Sequence, residues 1–340
     1  MKKMDDIKYE SDFSHIKTRN NEINILRGIA FCLVLLGHSF PDSAYGYINK
    51  YTEFGREYIY SFHMPLFFII SGFCMAPLLS RKKVNIKSEI VKRSKRLLIP
   101  YLFYSYIAII PKLIFSSYMY IKFEPRIIWE TLLGNSTSGT LWYLWNLFVI
   151  NIFFLIISRF SSNRKIWLVI SLILYGLHLL FPRFYFNKLL EYPIFYVIGI
   201  FVSVYFPMIR NWLSNKRILA LLFMFINAVI VITVGNDERV RLLTALFGSI
   251  SMLYVSIQIE ERGGMLKRTL ESASSYSYGI YLMSPYLQVA IRVFLYKKLG
   301  ASYLMCMGLM IILGYLVPYV IIKYIVEKNK YLSRILIGKW

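Results

Sequence analysis

Apolar runs close to the ~20 residues that a bilayer-spanning helix needs recur along almost the whole 340-residue chain, separated by short polar stretches. Ten stand out, at 23–40, 58–79, 97–119, 140–157, 166–182, 193–208, 217–234, 240–259, 276–296 and 303–326. Only the segments near 41–57, 80–96 and 120–139 leave room for much polar structure outside them. No Gly/Ser linker, low-complexity tract or sequence repeat divides the chain. The pattern predicts an all-α, polytopic membrane helix bundle of about ten transmembrane helices. A cytoplasmic N-terminal tail over 1–22 would precede a single transmembrane domain over 23–326, with a cytoplasmic basic tail over 327–340.

Composition agrees with this reading. Hydrophobic residues make up 57% of the chain, charged residues only 17%, and the mean hydropathy is +0.52. A soluble domain of this length needs more charge to cover its surface. The formal net charge of +22 would suggest nucleic acid on a soluble protein. Its placement says otherwise. With the N-terminus in the cytoplasm, 27 of the 40 Lys and Arg fall on inner segments, ten on outer loops, and Arg27, Lys112 and Arg292 inside spans. This is the positive-inside pattern, which puts both termini in the cytoplasm and makes anionic membrane lipids, not nucleic acid, the partners of the excess charge. Residues 1–22 are polar and of mixed charge, and no small-residue cleavage site follows the first apolar run, so that run is expected to remain as an anchor. Cys32, Cys74 and Cys306 all fall within predicted spans, without metal-like spacing, and read as small apolar residues.

Polar residues inside such spans are costly and usually functional. Arg27 and His38 in the first span are eleven residues apart, about three helical turns, which sets both on one face roughly 16 Å apart along the axis. The second span runs the opposite way, and His63 enters it at much the same depth as His38. Arg93 and Arg96, three apart ahead of the third span, share a face on a helix. A forked guanidinium pair at the cytoplasmic mouth suits a phosphorylated ligand such as coenzyme A. Each residue also has a purely structural account: Arg27 snorkelling, His38 packed and satisfied, His63 bonded at a helix start near Pro65, the arginines on lipid headgroups. Ser71-Gly72 fits close helix packing.

Together these segments resemble the acyltransferase-3 family of membrane acyltransferases. Arg27 with His38 after ten intervening residues is similar to its first-helix motif. The run Phe62-His63-Met64-Pro65-Leu66-Phe67-Phe68, ending in Ser71-Gly72-Phe73, resembles the second-helix motif of members related to fucose 4-O-acetylases. Arg93 and Arg96 ahead of Leu98-Ile99-Pro100-Tyr101 resemble its arginine pair. Leu141-Trp142-Tyr143-Leu144-Trp145 and Ser277-Tyr278-Gly279-Ile280-Tyr281-Leu282 are similar to later signatures. The resemblance runs in order over about residues 20–325. It implies a ten-helix bundle in a bacterial cytoplasmic membrane that takes acyl groups, most simply acetyl, from acyl-CoA and modifies envelope glycans. It also implies that His38 is the essential residue, with Arg27, Arg93 and Arg96 next in importance. Many relatives have His-Pro where this chain has Ser284-Pro285, which removes any role for a histidine there. Some relatives carry a fused extracytoplasmic esterase-like domain; without one, direct transfer or a separate partner is expected.

The residue types suit that chemistry. A sugar hydroxyl attacking a thioester needs a base, and histidine can take its proton and return it to the leaving thiolate. Acetyl-CoA, or another acyl-CoA, would be a co-substrate with its phosphates on Arg93 and Arg96 and its pantetheine arm passing Arg27 towards His38. The acceptor would be an envelope polysaccharide or its lipid-linked sugar precursor. Asp42, four residues beyond His38, is placed to orient the imidazole, unless Pro41 ends the helix first and leaves a solvated carboxylate. A covalent acyl-histidine and direct transfer are both open. His63 is a candidate for acceptor binding, as are Trp142 and Trp145, which suit stacking on a sugar ring or an interfacial aromatic belt. His178, Lys112 and Arg292 read as snorkelling or helix-pairing residues. No metal-ligand spacing, phosphate-cradling glycine loop or Ser-His-Asp order is present. The rival from another class is a transporter or flippase for a glycan precursor, which predicts broken helices in paired halves.

Overall fold

A computed structural model describes residues 20–41, 49–81, 83–114, 124–136 and 138–340. Among the described residues the chain is helical and contains no strand. In chain order the helices are α1 (Asn21–Ser39), α2 (Lys50–Tyr60), α3 (His63–Leu79), α4 (Ile86–Arg93), α5 (Ile99–Ile107), α6 (Ile109–Ile114), α7 (Ile127–Leu132) and α8 (Trp142–Phe160). There follow α9 (Arg164–Leu180), α10 (Asn187–Glu191), α11 (Pro193–Val204), α12 (Phe206–Ser214), α13 (Arg217–Val234), α14 (Arg241–Arg262), α15 (Gly264–Ile291), α16 (Tyr303–Ile321) and α17 (Lys330–Ile337). Three wider π-type segments, Ser94–Leu98, Arg292–Lys298 and Ile322–Val326, continue α4, α15 and α16.

Eight helical stretches among the described residues are long and apolar enough to cross a membrane: Asn21–Ser39, Lys50–Leu79, Ile86–Ile114, Trp142–Phe160, Asn187–Val204, Arg217–Val234, Arg241–Arg262 and Tyr303–Val326. The other two runs read from the sequence, 166–182 and 276–296, also fold as helix. The first falls mainly on α9, which is 17 residues long. The second begins within the 28-residue α15, whose Ser, Tyr, Gln and charged residues lower its hydropathy. The protein is an all-α, polytopic helix bundle.

The chain divides into two compact units. The first comprises the described parts of Met1–Ala30, Tyr60–Ile86 and Ile150–Ser274. Its closest joint is α3 on α11, where a Cβ at Gly72 would lie 1.9 Å from the Tyr196 carbonyl oxygen and one at Gly199 would lie 2.0 Å from that of Ile69. Small residues on both helices let the backbones meet, the usual device where lipid leaves little hydrophobic drive between helices. Aromatic rings flank the joint: Phe68 stacks on Tyr192 at 4.4 Å, and the Tyr196 hydroxyl donates to Asn151 Oδ1 at 2.8 Å. Glu22, in the first turn of α1, accepts from Arg210 at 2.6 Å.

The second unit comprises the described parts of Phe31–Ile59, Lys87–Val149 and Ser275–Trp340. Here Gly314 of α16 packs against Leu35 and Gln288. Gly279 of α15 leaves room for Ile322 and Ile337, whose side-chain carbons would lie 2.7 and 2.9 Å from a Cβ there. Ile291, Tyr303, Cys306 and Met310 form a buried cluster.

Candidate functional site

Arg27 and Cys74 belong to the first unit, and Arg27 Nη2 donates to the Cys74 sulfur at 3.2 Å. His63 opens α3 in the same unit, is buried, and lies edge-to-face on Tyr60 with ring centroids 4.8 Å apart. His178 is also buried there; its Nδ1 lies 2.5 Å from Asn187 Oδ1 and its Nε2 lies 3.9 Å from a Glu238 carboxylate oxygen. A buried ion pair, Arg241 with Glu191 at 3.0 Å, is nearby in sequence. In the loop between α13 and α14 the side-chain hydrogen bond from Arg239 draws the Asp237 carboxyl down to about 2. That exposed pair therefore stays ionised across the neutral range.

His38 belongs to the second unit, at the C-terminal end of α1. The last carbonyls of a helix lack N–H partners within it, and here side chains from α15 and beyond supply them. Arg292 Nη2 donates to the His38 carbonyl at 2.8 Å, and the Tyr303 hydroxyl donates to that of Phe40 at 3.1 Å. Gln288 Nε2 donates to Ser39 Oγ at 3.0 Å and to the Leu35 carbonyl at 3.1 Å. Gln288 and Arg292 are four residues apart, so one helical face delivers both. A buried cation is tolerated in such a segment only with compensation, and the negative end of the α1 dipole provides part of it. The His38 backbone is thereby fixed, and the residue as a whole is largely buried. Asp42 lies outside the described residues.

The same unit contains a cavity of about 800 Å³ with a basic lining: Lys87, Lys92, Lys95, Arg96 and Lys339. Its floor is the π-type segment Ser94–Leu98, whose formation has a local cause. Pro100 has no N–H to offer the Arg96 carbonyl four residues earlier, and the Tyr278 hydroxyl takes that carbonyl instead at 2.5 Å. The wide turn also separates the two arginines that an α-helix would align. Arg93 turns back to pair with Glu89, whereas Arg96 lines the cavity. Tyr281, three residues after Tyr278, donates to the Thr140 carbonyl at 2.5 Å and stands edge-on to Tyr143. Trp145 Nε1 donates to the Leu132 carbonyl at 3.2 Å, and its ring covers Gly134. The Trp142 carbonyl accepts from Asn146.

Sequence reasoning did not single out Gln288, Tyr303, Lys87, Lys95, Lys339 or Trp340. A signal existed for Gln288: it repeats the spacing of Arg292 within an apolar run. For the others the partners are too distant in sequence for any local pattern to reveal them.

Residues 20–324 match a family model described as an acyltransferase domain. The chain is 28% identical over 155 residues to nodulation protein NolL of Mesorhizobium japonicum, a match covering 44% of this chain and 39% of that protein. It thus aligns with well under two thirds of that relative's length. No solved structure matches.

Proposed function

The chain belongs to the acyltransferase-3 family of membrane acyltransferases, and on that premise we propose that it is an O-acyltransferase moving an acyl group, most simply acetyl, from cytoplasmic acyl-CoA to a hydroxyl of an envelope polysaccharide or its lipid-linked precursor. The bacterial cytoplasmic membrane is the proposed site of action. The observation that carries the reading is the capping of the α1 end, which holds a largely buried histidine on a fixed backbone. A pre-positioned imidazole is what general base catalysis requires.

In the proposed reaction the His38 imidazole accepts the proton of the acceptor hydroxyl as that oxygen bonds to the thioester carbonyl carbon. The carbon–sulfur bond then breaks, and the imidazolium returns the proton to the departing thiolate. The products are the O-acyl ester and free CoA thiol. The fixed charge of Arg292 beside the His38 carbonyl favours the negative charge that develops on the carbonyl oxygen and then on sulfur. Arg96 and the lysines around it receive the CoA phosphates. The roles proposed for Arg27 and Arg93 on acyl-CoA, for Asp42 in orienting the base, and for His63, Trp142 and Trp145 on the acceptor rest on the family motifs. The test is release of thiol from acetyl-CoA by the purified protein with membrane glycolipid as acceptor. Wild type releases it and His38→Ala is slower by roughly 10²–10⁴-fold. Equal rates would refute the assignment of His38.

A further inference from the structure

α2 lies against the end of α1 that carries His38. Gly55, at the middle of α2, faces the ring of Phe40, two residues beyond His38, and a Cβ there would lie 2.9 Å from the ring's Cζ. The missing side chain thus lets α2 settle on that ring. The helix is also fixed at its start. Asn49 Oδ1 accepts from the Tyr51 N–H at 2.9 Å, and the Asn49 carbonyl accepts from the Glu53 N–H at 2.9 Å. Ile59, the one aliphatic residue of α2, is buried. It lies four residues after Gly55, so one face of the helix turns both inward.

Beside that inward face runs a ridge of aromatic rings. Tyr51, Phe54 and Tyr58 follow the i, i+3, i+7 spacing of a single helical face, over a rise of about 10.5 Å. Tyr51 is 83% exposed and Phe54 36%, and the Phe54 and Tyr58 rings lie 5.9 Å apart. Glu57, three residues after Phe54, flanks the ridge. Two bases in α2, Lys50 and Arg56, offset its two acids, Glu53 and Glu57. A helix that lies in lipid carries mainly Lys and Arg on its polar face and Leu, Phe or Trp on the other. α2 has no excess of bases, and its exposed face has no aliphatic side chain. The composition suits a sugar chain instead. The C–H face of a pyranose ring packs on an aromatic face, tyrosine combines an apolar body with a polar tip, and a carboxylate accepts from sugar hydroxyls.

We propose that the Tyr51, Phe54 and Tyr58 ridge of α2 is an acceptor-binding surface, which holds a sugar chain by stacking on its rings, with Glu57 accepting from the sugar hydroxyls. Its contact with Phe40 sets the bound chain beside the α1 end, where a hydroxyl can reach His38. The proposal rests on the reading of the chain as an enzyme that acylates a glycan. It goes further by giving the acceptor a binding element of its own, on a helix to which the motifs assign no role.

Titration calorimetry of the full chain in nanodiscs of zwitterionic lipid tests it, with envelope glycan deacylated by mild alkali as the titrant. Wild type is expected to bind the glycan. Tyr51→Ala should weaken binding at least fivefold, the double variant Tyr51→Ala, Phe54→Ala at least twentyfold, and Tyr51→Phe should restore most of it. Both side chains are exposed, so the variants should keep the wild-type unfolding temperature. In the thiol-release assay the same variants should raise KM for the glycan and leave KM for acetyl-CoA unchanged, a split that general loss of structure would not produce. Wild-type glycan affinity in the folded double variant, or no glycan binding by wild type, would overturn the proposal while leaving the enzymatic reading intact. So would a double variant whose sole change is easier extraction from the membrane by alkaline carbonate, because the ridge would then be a lipid anchor. Glycan binding that depends on the ridge, without thiol release from acetyl-CoA, would instead overturn the enzymatic reading.

Discussion

His38 is fixed through its backbone by residues some 250 positions further along the chain, and that arrangement gives Arg292 a testable role. Arg292→Ala removes a charge-assisted hydrogen bond to the His38 carbonyl and should cost about 1.5–3 kcal/mol of stability. It should also lower kcat for acyl transfer while leaving CoA affinity unchanged. Arg292→Lys, which keeps the charge, should recover part of the turnover. Thermal unfolding and steady-state kinetics on the same preparations separate the two effects. Tyr278→Phe strips the Arg96 carbonyl of its hydroxyl partner and should cost about 1–3 kcal/mol, with a matching fall in melting temperature. At this scale the sequence was informative wherever a polar residue interrupted an apolar run: Arg27, His38, His63 and Arg292 all stood out. Their partners did not. Nothing local to Lys95 announces Trp340, and the Tyr278–Arg96 bond joins two motifs with an intervening 181 residues of chain.

Among elements, the glycine contacts and the π-type turns set the geometry. Gly72 and Gly199 hold α3 against α11, and Gly72→Ala would drive a methyl into the Tyr196 carbonyl. Neither backbone can yield without parting the helices, so a loss of about 1–3 kcal/mol or more is expected. It should be visible as a lower unfolding temperature in detergent, with Gly176→Ala, where a Cβ meets nothing within 4 Å, as the neutral control. The close-packing role of Ser71-Gly72 was legible because small residues within an apolar helix have few other uses. The π-type turns were not. An α-helical face aligns Arg93 with Arg96, and only the fold reveals that Ser94–Leu98 rotates them apart. Two of the three such segments line the basic cavity and the third opens with Arg292, consistent with the frequent use of π-bulges at functional sites.

For the molecule as a whole, hydropathy alone identified a helical, membrane-spanning chain, since hydrocarbon leaves the backbone few alternatives to a helix. The two runs with the least apolar margin as helices, at α9 and α15, are short or rich in polar side chains. The orientation proposed from the distribution of Lys and Arg has its own check: a fluorescent protein fused after Trp340 should be bright, and alkaline phosphatase at the same point inactive. The reverse would invert the topology and put the basic cavity on the wrong side for cytoplasmic acyl-CoA. The central claim is chemical, and the most direct measurement is glycan O-acylation in cells carrying wild-type or His38→Ala protein at matched membrane levels. Mass spectra of the envelope glycan, before and after mild alkali, report the acyl groups. The account predicts alkali-labile groups in wild-type cells, their mass identifying the acyl group, and their disappearance in the variant. Their persistence at wild-type levels in the His38→Ala cells would contradict it.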